Sequence, residues 1–89
     1  MLLRTFEVKP KVEQKLKAAE AVHADIERAF MSLKWHLARE ADKGFILPNT
    51  DPPQRLYKFA VQHNTVETLI VRYTLQGHVI VIHDIVIRP

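Results

Sequence analysis

With 89 residues, 47% of them apolar and 26% charged, the chain has the make-up of one globular domain spanning residues 1–89, not of a disordered segment. It lacks cysteine, which excludes disulfide and thiolate chemistry. It also lacks any apolar run near the ~20 residues of a membrane span, so no membrane association is expected. Leu2-Leu3 is followed at once by Arg4 and Glu7, where a secretory signal would stay apolar, so a cytoplasmic location is the expectation. The net charge of +3 and pI near 9.5 lean toward a polyanionic or acidic partner.

Leu2 to Lys9 alternates in part, with Phe6 and Val8 on one face and Thr5, Glu7 and Lys9 on the other. This predicts a short edge strand, closed by Pro10, which has no N–H to donate and suits the first position of a helix. From Lys11 to Lys43 there is neither Gly nor Pro. Apolar residues at Val12, Leu16, Ala19, Val22, Ile26, Ala29/Phe30, Leu33 and Leu37 form one stripe at helical spacing. The pattern predicts a helical layer over Lys11–Ala41, either one long helix or a hairpin bent near His23–Asp25. Continuity of the stripe favours the first. Compactness favours the second, because a 30-residue helix would be about 45 Å long.

Gly44 suits the residue just past a helix end. Asp42 to Pro53 is rich in turn formers and reads as a loop. Arg55 to His63 reads as a strand, with Arg55, Tyr57, Phe59, Val61 and His63 on one face and Leu56, Lys58, Ala60 and Gln62 on the other. Asn64-Thr65 reads as a turn. Two runs rich in β-branched and aromatic residues then flank Gln76-Gly77, which predicts an antiparallel hairpin over Thr65–Pro89. Val79–Ile87 is apolar on both parities, broken only by His83 and Asp84, and reads as a central strand covered on both faces. The fold class is therefore α+β: a short N-terminal strand, a long helix or helical hairpin, then a three-stranded antiparallel meander.

A two-residue turn at Gln76-Gly77 would oppose Arg72 to Val81, Ile70 to His83 and Thr68 to Ile85. Arg72 and His83 would then be diagonal neighbours on one face, ~7–8 Å apart. A cation beside a neutral imidazole suits RNA hydrolysis, in which a phosphate must be held and a proton moved. The bland alternative is a hydrogen-bonded core histidine and a snorkelling arginine. Asp84, in apolar company, calls for a cationic partner from the helical layer. No histidine pair has the i, i+4 spacing of a zinc site, so neither metal nor cofactor is expected. Trp35, Phe30, Phe45 and Tyr57 read as core or core edge.

The segment Phe6-Glu7-Val8-Lys9-Pro10, the strand–turn–strand Val71 to Ile82 and the ending Ile85-Val86-Ile87-Arg88 together resemble the RelE/ParE superfamily of type II toxin–antitoxin toxins. The family commonly carries an arginine at the place of Leu69-Ile70. Here Arg72 stands two residues further on, a step that keeps the same strand face. The resemblance implies a ribosome-dependent, metal-independent mRNA endoribonuclease that inhibits translation. Its partners would be a cognate antitoxin, the ribosome and mRNA. Arg72, His83 and Arg88 would be its catalytic residues, and Arg55, Lys58 and His63 would contact nucleic acid. The alternative is a non-nuclease binding module of the same fold, either a DNA gyrase poison or an inert antitoxin-binding relative.

Overall fold

The structure, a computed structural model, describes residues 4–61 and 66–89. The chain runs β1 (Thr5–Val8), α1 (Pro10–Glu20), α2 (Ile26–Glu40), a single 3-10 turn (Ala41–Lys43), β2 (Phe45–Ile46), β3 (Gln54–Ala60), β4 (Thr68–Gln76) and β5 (Val79–Arg88). It is an α+β domain built on a five-stranded mixed sheet in the order β1-β5-β4-β3-β2. β3, β4 and β5 form the expected antiparallel meander, and β1 lies at one edge, paired parallel with β5. The segment from Asp42 to Pro53, expected to be all loop, contains β2, which pairs with β3 at the opposite edge. The predicted strand end at His63 and the turn at Asn64-Thr65 lie outside the described residues.

The helical layer is a hairpin. Pro10 sits in the first turn of α1. The helix is closed by backbone bonds from Val22 and His23 back to the Ala19 carbonyl, at 3.0 and 2.7 Å. Val22, counted in the apolar stripe, falls in the resulting turn and is 73% exposed. A phase-continuous stripe does not demand a continuous helix: two helices packed on one sheet keep the same buried spacing on either side of the bend. Val12 and Leu16 of α1 pack with Ile26, Ala29, Phe30, Leu33 and Leu37 of α2 on Leu69, Val71, Tyr73, Ile80, Ile82 and Ile85 of the sheet. Burial of this apolar surface, at roughly 25 cal/mol per Å², is the main stabilising term.

Gly44 ends the helical region but is not left-handed; its φ is −64°. Its lack of a side chain matters for packing instead. A Cβ there would overlap the hydroxyl of Tyr73, which is fully buried and donates to the Ala41 carbonyl at 2.6 Å. Burial pushes the Tyr73 hydroxyl above its ordinary pKa.

The β4–β5 turn is centred one residue later than expected. Gln76 pairs with Val79, so the two loop residues are Gly77 and His78, with Gly77 at φ 63°. A positive φ at the first loop residue is the conformation that favours glycine in tight hairpins. Further along, Tyr73 pairs with Ile82 but Arg72 pairs with Asp84, so His83 is an extra residue in a β-bulge. The bulge switches the parity of β5. Ile80 and Ile82 face the helices before it, and Ile85 and Ile87, partners of Val71 and Leu69, face them after it. The bulge thus puts Ile80 and Ile82 on one face with Ile85 and Ile87, while Val79, Val81 and Val86 make the other face of the strand apolar as well. The sheet is not covered on both faces.

Candidate functional site

The pairing register sorts the sheet into two faces. Phe6 and Val8, Arg55, Tyr57 and Phe59, the odd-numbered residues of β4, and Ile80, Ile82, Ile85 and Ile87 point toward the helices. The other face carries Glu7, Val81, Thr74, Arg72, Gln54, Leu56, Ile70 and Lys58, and no helix packs on it among the described residues. Val81 and Thr74 are nonetheless only 2% exposed.

At the centre of this face lies a polar cluster. The Arg72 guanidinium donates to Gln54 Oε1 at 2.8 Å. His83 Nε2 lies 3.0 Å from the Thr74 hydroxyl. Either can donate, since the hydroxyl is donor and acceptor and the imidazole has two tautomers. The bulge produces this arrangement, because it frees His83 from the ladder and turns it back over the buried threonine. Burial, then the charges of Arg72 and Lys9, lower the His83 pKa from its ordinary 6.5 and keep the imidazole neutral near pH 7. Arg72 and His83 therefore share one face, as the sequence suggested. The cross-strand partner of Arg72 is Asp84 and not Val81, and His83 has no cross-strand partner.

The other candidate residues are dispersed. Arg88 is exposed and pairs with Thr68, four positions beyond Asp84, about 13 Å along the strand. Arg55 is on the helix-side face and donates to the carbonyls of Asp42 (2.8 Å) and Gly44 (3.3 Å), where it secures the turn leading into β2. Lys58 is exposed on the open face, and His63 lies outside the described residues. Asp84 finds its cation in the helical layer: Lys15 Nζ at 2.7 Å and Lys11 Nζ at 3.3 Å, both from α1. The Lys15 hydrogen bond is the largest cause of an Asp84 pKa lowered to about 2, and the Ile85 backbone N–H also donates to that carboxylate at 2.8 Å. Asp84 is thus a tie between α1 and β5.

Sequence reasoning missed Thr74 and Gln54, which orient the imidazole and the guanidinium. Both became legible only with the register. Trp35 and Phe45, expected at the core or its edge, are 62% and 67% exposed, while Phe30 is buried as expected. Among the described residues, no group of three His, Asp or Glu side chains is placed to share a metal ion, and no helix is long and apolar enough to cross a membrane. No protein-family model matches the chain, and the curated proteins and the solved structures yield no match to it.

Proposed function

We propose that the open face of the sheet is the working surface of a RelE-like toxin domain that cleaves messenger RNA on the ribosome. The observation that carries this reading is the neutral, threonine-held imidazole of His83 beside the Arg72 guanidinium on a face no helix covers. When Nε2–H donates to Thr74, Nδ1 is left free to accept a proton. His83 then takes the proton of a ribose 2′-hydroxyl, whose oxygen attacks the adjacent phosphorus. The bond to the 5′-oxygen breaks, leaving a 2′,3′-cyclic phosphate and a 5′-hydroxyl that takes its proton from solvent. Arg72 stabilises the added negative charge on the phosphoryl oxygens. Arg88 is too far along the face for this chemistry, and it and Lys58 serve to hold RNA backbone. A cognate antitoxin would cover the same face and neutralise its charge.

A second reading follows from Leu56, Ile70 and the 46% exposed Val86 on the same side of the sheet. An apolar strip around a few cations also suits a binding module that acts by contact, on DNA gyrase or on an antitoxin alone. Cell-free translation separates the two. Wild type is expected to cut translated messages, and Arg72→Ala or His83→Gln to slow cutting ~10²-fold or more. Intact messages with wild type would remove the nuclease reading and leave the binding module. Equal cutting by wild type and both variants would remove the site.

A further inference from the structure

A second cluster of cations lies away from the open face, where the start of β1, the last turn of α2 and the β4–β5 turn meet. Arg4, Ala38, Arg39, Gly77 and His78 line a cleft of about 440 Å³ there. This falls within the range of small-ligand sites, about 300–1,000 Å³. We propose that this cleft binds a phosphate-type oxyanion.

The lining is cationic. Arg4 is half-buried, and its Nη1 atom is removed from solvent with no hydrogen-bond partner. That atom is closed to solvent, so what Arg4 brings to the cleft is its positive charge. Arg39 stands at the rim with its guanidinium 3.8 Å from the centre of the Trp35 ring. That stacking holds the planar fork without using its donors. His78 adds an imidazole, and Gly77 leaves the mouth clear of a side chain. The fold sets this placement: the Thr5 N–H donates to the His78 carbonyl at 2.9 Å, which fixes Arg4 beside the turn. Among the described residues, no carboxylate lines the cleft. Two guanidiniums around one cavity repel each other until an anion enters. Two guanidiniums and an imidazole on one cleft suit an anion with several acceptor oxygens, as a phosphate group has. A carboxylate would satisfy only one fork. The proposal does not depend on the sheet face acting on RNA, because it uses none of that face's residues.

Trp35 is the only tryptophan in the chain and touches Arg39, so its fluorescence reports occupancy. The full chain is titrated at constant ionic strength with inorganic phosphate, with a short single-stranded RNA, and with acetate. A saturable fluorescence change is expected with phosphate or with RNA. Phosphate alone or both would assign a free phosphate group, and RNA alone a backbone phosphodiester. Arg4→Gln and Arg39→Gln should each weaken binding at least about tenfold, and Arg39→Lys should weaken it as well by losing the fork. Far-ultraviolet circular dichroism of each variant checks that it folds, and an unfolded Arg4→Gln passes its role in the test to Arg39→Gln. The proposal is overturned if no titrant saturates, if acetate binds as tightly as phosphate, or if Lys43→Gln weakens binding as much as Arg39→Gln does.

Discussion

The two faces of one sheet divide the work of this domain. On the helix side, Leu69, Val71, Tyr73, Ile80 and Ile82 are fully buried against α1 and α2, and the Tyr73 hydroxyl has its acceptor at Ala41. On the open side, central Thr74 and Val81 are just as inaccessible, with no helix packed on them among the described residues, and the His83 ring meets the Thr74 hydroxyl. Equal burial therefore has two meanings. One is packing between layers, which holds the fold. The other is burial within a single sheet layer, beneath the proposed site. A change on the first face should cost stability, and a change on the second should alter charge and chemistry while the fold survives.

The largest expected effect tests that division directly. Ile82→Ala, at a fully buried position under the helices, should cost ~2–5 kcal/mol by lost transfer energy and a cavity. Ile70→Ala, half-exposed on the open face, should cost under about 1.5 kcal/mol. Urea unfolding measures both, and equal losses would mean that something covers the open face.

Gly44→Ala should follow, at about 1–3 kcal/mol, because the new methyl displaces the Tyr73 ring that Ala41 anchors. Tyr73→Phe removes the hydroxyl and should cost about 1 kcal/mol. With the hydroxyl gone, Gly44→Ala should cost less than it does in the wild type. Additive losses would show that the crowding lies elsewhere, since coupled neighbours deviate from additivity.

The tie between α1 and β5 should appear as a pH effect. Asp84 has a pKa near 2 in the folded chain against an ordinary 3.8, so the carboxylate form is favoured by folding. Its stabilisation is complete above about pH 4 and is lost as pH falls toward 2. With allowance for solvent screening it amounts to about 1 kcal/mol. Asp84→Asn should flatten the stability profile in that window, and an unchanged profile would mean that Lys11 and Lys15 contribute nothing there.

The smallest effect concerns His83. Its folded pKa is depressed, so folding favours the neutral imidazole, and the associated stability is lost as pH falls below 6.5. Arg72→Ala should raise this pKa in an NMR titration yet leave it below 6.5, because burial is the larger cause. A value above 6.5 would invert that ranking.

Much of this was legible in the residues, and what was not has a common cause. The helical spacing from Val12 to Leu37, the β-branched runs around the last turn and the edge role of the N-terminal strand all follow from local periodicity. So does the prediction that Asp84 needs a cation from the helical layer, because an unpaired carboxylate among isoleucines is costly in any fold. The bulge was not legible. One extra residue at His83 shifts the pairing of everything beyond it, and nothing in the isolated sequence distinguishes a run that changes parity from a run buried on both sides.

By itself, the sequence determined which stretches become helix and strand and that they layer as α+β, since these depend on residues a few positions apart. Only the tertiary structure decided what meets across the chain. Arg72 is joined to Gln54, and His83 to Thr74, by strand register. Arg4 is brought to the cleft it shares with Arg39 and His78 by the pairing of β1 with β5. These groups lie far apart in sequence, and which of them meet depends on loop closure, a one-residue bulge and the bend between two helices. Each is a small energetic choice that the whole packed core settles at once.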